Sequence, residues 1–209
     1  MKFLNKIWHR FLRIFGNIKV FKFPFFIVYD PDENEMDGEH ILKALKILQP
    51  GDIIFRGYKH YADGFFIPSP RKFSHAGIYT GNNTIIHAVS PNVVKCNVVD
   101  FMMCDRIAIV RPKYGQEKAI ERARQYLNNQ IKYDFDFSDG DESLYCFELC
   151  AYCYEGLKLK KHKAKILGGL IKKKTPVYLD SSFFISEDFY LVFEYNKRFL
   201  IDFCLKESN

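Results

Sequence analysis

The sequence predicts an α+β domain in which an antiparallel sheet packs against helices, and three observations point that way. Short runs at Asp52–Phe55, His75–Thr80, Thr84–Ala88, Val93–Val99 and Arg106–Arg111 have the apolar content and length of strands. Gly81-Asn82-Asn83 joins the second and third as a tight hairpin, because Gly and Asn tolerate positive φ. The order is helix, meander of short strands, helix, helix, strand, and the short hairpin links leave no room for the crossovers of a parallel sheet.

The elements read in order as follows. Residues 1–22 hold Lys2, Lys6, Arg10, Arg13, Lys19 and Lys22 and no acid, so the formal charge of +6 belongs to the N-terminus and the remainder is neutral. At 100° per residue Phe3, Leu4, Ile7, Trp8, Phe11, Leu12, Ile14 and Phe15 share one half of a helical wheel, opposite the basic residues. That pattern suits an interfacial membrane helix, and it suits equally a helix docked on its own domain. Asp30 to Glu39 reads as a solvated acidic loop. His40–Leu48 reads as a short helix that Pro50-Gly51 ends. After the strands, Gln116–Asn128 is an amphipathic helix with Ala119, Ile120, Ala123, Tyr126 and Leu127 inward, and a second helix runs from Cys146 to Leu157. A stretch with eight lysines between 158 and 174 precedes a last strand at Phe189–Tyr195. The expected division is a basic N-terminal segment, 1–29, and one catalytic domain, 30–209.

The six cysteines stand at 96, 104, 146, 150, 153 and 204. Three fall within one helical pattern, where neighbouring thiols pair poorly, and no cleavable signal peptide is legible. The longest early uncharged run, Phe23 to Tyr29, is far too short to span a bilayer. A reducing, cytoplasmic setting is expected, with peripheral membrane attachment through the N-terminal helix and non-classical secretion left open.

Cys146 opens its helical pattern, where the helix dipole favours a thiolate. The acidic run before it (Asp134, Asp136, Asp139, Asp141, Glu142) works against a thiolate and calls for a compensating cation, a part that His75 suits. His75 begins one strand and His87 ends the next, so the hairpin brings them near each other. One imidazole then serves as base while the other fixes its tautomer; the competing reading is two structural histidines. Cys150 and Cys153 read as core thiols.

Leu48-Gln-Pro-Gly-Asp-Ile-Ile-Phe55, Phe73-Ser-His-Ala-Gly-Ile-Tyr-Thr-Gly81, Ile85-Ile-His-Ala88, Tyr133-Asp-Phe-Asp-Phe137 and Tyr145-Cys-Phe-Glu-Leu149 occur in the order of a known family. Together they resemble the circularly permuted NlpC-type papain-like enzymes, the YiiX/YaeF-like group related to lecithin–retinol acyltransferase, over roughly residues 45 to 195. The resemblance implies the permuted papain-like fold, with Cys146 as nucleophile at a helix N-terminus, His75 as base and His87 as the third polar residue. Two departures stand out: many members of the permuted group have Glu at the third position, and the Ser usual after the cysteine is Phe147, which would narrow or grease the pocket. Asp52 is expected to anchor a turn.

The expected activity is hydrolysis or transfer of an acyl group through a Cys146 thioester. The substrate would be a peptide or other amide, or a lipid ester. The alternative is a non-enzymatic membrane-surface module with a degenerate site, touching anionic lipid through its basic segments. Cys146, Cys150 and Cys153 also fit the C-x₃-C-x₂-C spacing of radical SAM enzymes, but the chain after them is too short for a barrel. A zinc site with His162 has unsuitable spacing. No cofactor, metal or nucleic-acid partner is expected.

Overall fold

The computed structural model describes residues 18–21, 26–29, 34–58, 73–138, 140–163, 165–166, 171–172 and 176–196. The basic helix expected at residues 3–15 and Cys204 lie outside the described residues. Strands β1 (Ile18–Phe21) and β2 (Phe26–Tyr29) pair with each other as an antiparallel hairpin.

Helix α1 (Gly38–Ile47) starts two residues ahead of expectation because Asp37 caps it, its carboxylate accepting from the His40 N–H at 3.0 Å. The segment before it is no solvated loop throughout. Met36 is buried, and its N–H donates to the Cys104 carbonyl at 3.1 Å. Gly51 then turns the chain at φ 93°, and a Cβ there would meet Gln116 Cβ at 2.6 Å, so this corner requires glycine on two counts.

Strands β3 (Ile53–Gly57), β4 (His75–Gly81), β5 (Thr84–Val89) and β6 (Asn92–Asn97) follow, then helix α2 (Val98–Met102) and strand β7 (Arg106–Pro112). The β4–β5 hairpin turns at Gly81, Asn82 and Asn83, all at positive φ, as their residue types predict. The fourth strand stops short of Val99 because the Asn97 side chain accepts from the Val99 N–H at 2.8 Å and caps α2. Helix α3 spans Gln116–Asn128, the expected bounds. Strands β8 (Lys132–Tyr133) and β9 (Ser143–Leu144) flank the acidic loop before helix α4 (Cys146–Cys153). α4 ends before Leu157 because the chain turns at Tyr154 and Gly156, the latter at φ 100°. Strands β10 (Lys165–Ile166) and β11 (Ile171–Lys172) form a small hairpin, and helix α5 (Asp180–Phe184) leads into strand β12 (Phe189–Asn196).

The main sheet has eight strands in the order β12-β7-β3-β4-β5-β6-β8-β9, antiparallel except at the β8–β9 pair. Strand alternation gives it two apolar faces. Ile53, Phe55, Ala76, Ile78, Ile86 and Val110 face α3, α4 and α5; Ile54, Ile85, Ile107 and Ile109 face α1 and α2. On the first face Phe55 packs against Phe147, Phe183 and Phe184 at ring separations of 6.0, 5.3 and 5.2 Å. Phe147 is therefore a fully buried core residue. Asp52 accepts from the Gln49 N–H at 2.8 Å, as a turn anchor does, and binds Arg111 through both oxygens at 2.7 Å.

Candidate active site

β4 and β5 pair antiparallel, and Gly77 of β4 lies against Ile85 and His87 of β5. A Cβ at Gly77 would meet Ile85 Cγ2 at 2.6 Å and His87 Cβ at 3.1 Å, so glycine allows the approach. The result is a hydrogen bond between His75 Nε2 and His87 Nδ1 at 2.8 Å, with the rings edge-on at 83°. The two histidines that the hairpin was expected to bring together are thus in direct contact. Both rest on the ring of Phe101, at centroid separations of 5.6 and 5.3 Å.

Cys146 is the first residue of α4, which packs on β4 and β5. Its thiol is buried and donates to the Ser74 carbonyl at 3.8 Å. The Ala76 N–H also faces the sulfur, as do the N–H groups of Phe147 and of Cys146 itself. The sulfur therefore sits against the backbone on both sides of His75. Among the described residues its hydrogen bond runs to that backbone and not to the imidazole.

The electrostatics differ in sign from the thiolate that the helix terminus suggests. Burial pushes the Cys146 thiol up to about 12, against the pull of the surrounding N–H groups and, more weakly, of the Arg56 charge. Burial, then Arg56, then His87 push His75 well below the ordinary imidazole value; burial and Arg56 push His87 down to about 3. At rest the thiol and both imidazoles are neutral; the imidazoles pack on Phe101 on the α1/α2 face of the sheet, whereas α4, with Cys146 at its start, packs on the other face. Asp134 in the preceding acidic run is taken up locally, accepting from the N–H groups of Asp136 and Ser138 at 2.8 and 2.6 Å.

The sequence reading passes over Arg56 because it ends the strand at Phe55. β3 continues to Gly57, and extending the alternation by one residue places Arg56 on the face of His75, its direct cross-strand partner. The guanidinium carbon lies 4.5 Å from the Phe101 centroid, on the ring that also supports both histidines.

Cys150 and Cys153 are buried thiols further along α4, and Cys96 and Cys104 are also free. Because Cys146, Cys150 and Cys153 lie on one continuous helix, they do not converge as cluster ligands. His162 pairs by its backbone with Val177. Among the described residues no group of three or more His, Cys, Asp or Glu side chains gathers to hold a metal, and no helix is long and apolar enough to cross a membrane.

A family model described as permuted papain-like amidase enzyme, YaeF/YiiX, C92 family, matches residues 47–193. Among solved structures, this chain is similar to the metalloprotein yiiX of Escherichia coli O157:H7, with 21% identity and a TM-score of 0.59. That match covers 72% of this chain and 99% of the other, a likeness of fold. No curated protein matches.

Proposed function

Because the chain belongs to the permuted papain-like amidase family of YaeF and YiiX, we propose that it is a cysteine hydrolase with Cys146 as nucleophile and His75 as base, oriented by His87. The observation behind this assignment is the 2.8 Å contact between His75 Nε2 and His87 Nδ1, on a strand whose neighbouring Ser74 carbonyl accepts from the Cys146 thiol. If the shared proton resides on His75 Nε2 and is donated to His87 Nδ1, His75 Nδ1 is left as the free acceptor. His75 then takes the Cys146 proton as sulfur attacks an acyl carbon. Backbone N–H groups at the start of α4 stabilise the oxyanion. Collapse expels the amine or alcohol, which receives the proton from His75, and leaves a thioester on Cys146. Water, deprotonated by His75, hydrolyses that thioester; a bound acceptor in place of water would make the same reaction an acyl transfer. The bond attacked is an amide, as in a peptide or isopeptide, or an ester of a lipid.

One observation favours a second reading, a degenerate site in a membrane-surface module: the thiol is pushed up to about 12 and bonded to a carbonyl. Iodoacetamide labelling, resolved by cysteine with mass spectrometry at pH 6 to 9, separates the two. For the enzyme, Cys146 labels ahead of Cys96 and Cys153. Its rate falls by at least about tenfold in His75→Ala and by a smaller factor in His87→Asn, as removal of a general base requires. Labelling of Cys146 no faster than Cys96, and indifferent to His75, would instead establish the degenerate site.

A further inference from the structure

The geometry points to Arg56 as a specificity residue that holds an oxyanion group of the substrate, carboxylate or phosphate, beside the His75–His87 pair. This inference rests on the reading of Cys146 and His75 as the reacting pair.

Three observations converge on it. First, Arg56 and His75 are register partners on adjacent strands, so the guanidinium is fixed on the histidine side of the sheet. Second, Phe101 is a shared floor: the guanidinium lies 4.5 Å from its centroid, and both imidazoles pack on the same ring. Tyr58 flanks the guanidinium at 5.7 Å. Third, among the described residues Arg56 has no counter-ion. Among the described residues no carboxylate lies within salt-bridge distance of it, Nε is buried without a hydrogen-bond partner, and Nη1 makes only a long 3.4 Å contact with the Phe101 carbonyl. Arg111, by contrast, spends its fork on Asp52.

A structural arginine in a crowded setting is normally paired, because an unneutralised charge there loses hydration without compensation. Stacking on Phe101 holds the plane of the fork but satisfies few of its donors. Its charge reaches the site, opposing protonation of both imidazoles and favouring the thiolate. An incoming oxyanion would meet a prearranged planar donor and bring a neutralising charge that none of the described residues supplies. The acyl or leaving group would then be fixed relative to Cys146 by a charge outside the scissile bond.

Alkylation with a matched pair of probes tests this. Iodoacetate and iodoacetamide differ at the carboxylate, and the ratio of their rates at Cys146, divided by the ratio for N-acetylcysteine in the same tube, cancels the thiol's own reactivity. The normalised ratio should favour iodoacetate in the wild type and fall about tenfold in Arg56→Gln, the factor that one charge-assisted pair commands, with Arg56→Lys in between. A ratio that is the same in the wild type and Arg56→Gln overturns the inference and leaves the hydrolase reading untouched. If Cys146 resists both probes in a His75-independent way, the hydrolase reading fails. Arg56 is then decided by the imidazole NMR signals of His75 and His87 titrated with inorganic phosphate and with acetate. Signals moved in the wild type and not in Arg56→Gln support the anion site, and the more effective anion identifies the group; signals that neither anion moves overturn it.

Discussion

Two neutral imidazoles held in contact make the stability of this protein depend on pH in a definite direction. His87 is 6% exposed and its pKa falls from 6.5 to about 3, chiefly through burial and then through Arg56; His75 moves the same way for the same leading cause. In the unfolded chain both rings protonate near their ordinary value, so on acidification the unfolded state takes up protons first. Their contribution is complete above about pH 6.5 and is lost as pH falls toward 3. Urea unfolding at pH 7.5 and pH 5 should show the wild type losing on the order of a few kcal/mol between them. His75→Asn/His87→Asn should lose much less. Equal pH slopes for the two proteins would mean that these rings titrate normally in the fold. The same residues explain why the site was only partly legible in sequence. The pairing of His75 and His87 follows from hairpin arithmetic, and Cys146 at a helix start follows from the apolar pattern after it. The protonation states do not follow, because they depend on how much protein covers each ring and on a cation from a strand nineteen residues upstream of His75 in the chain, across a segment with no periodic signal.

At the scale of elements, legibility tracked local signals. Helix α3 and the β4–β5 hairpin were read correctly because an amphipathic repeat and a Gly-Asn-Asn turn are written within a few residues. The strand running to Val99 and the helix running to Leu157 were read too long, because a side-chain cap at Asn97 and a positive-φ turn at Gly156 overrule the apolar pattern. Short pieces such as β8, β9 and α5 carry too few residues for any period to show, and tertiary pairing alone defines them. Gly77 stands between the two cases. In sequence it is a glycine inside a strand; in the fold it leaves no room for a Cβ against Ile85 and the base of His87. Gly77→Ala forces its new methyl into Ile85 and the base of His87, and relief by strand separation should cost about 1–3 kcal/mol. It should also break the imidazole contact, lowering the Cys146 labelling rate at pH 7 toward that of His87→Asn. Labelling at the wild-type rate in a folded Gly77→Ala protein would show that the strand spacing does not set the histidine geometry.

At the scale of the whole molecule, the family match begins at residue 47, and the eight-stranded sheet begins with Ile53. Both lie well after the basic segment. We propose a division into a basic N-terminal segment, 1–29, and one catalytic domain, 30–209, with attachment to an anionic membrane surface as the segment's proposed role. The site of truncation matters, because β1 and β2 pair with each other across residues 18–29, and cutting at residue 22 would remove one partner of that hairpin. Deleting residues 1–17 instead keeps the pair and removes Lys2, Lys6, Arg10 and Arg13 with the whole Trp/Phe/Leu stripe, lowering the formal charge from +6 to +2. Each basic side chain near an anionic leaflet is worth about 1 kcal/mol, and the apolar stripe adds to it. The truncated protein should therefore bind phosphatidylserine-containing vesicles at least about a hundredfold more weakly in a sedimentation assay. Its urea midpoint and the His75 dependence of Cys146 labelling should stay as in the full chain. If vesicle binding survives the deletion, the attachment surface lies elsewhere and the segment is not an anchor. If the urea midpoint falls together with binding, the segment's apolar stripe is instead docked on its own domain, the other arrangement that its amphipathic pattern allows.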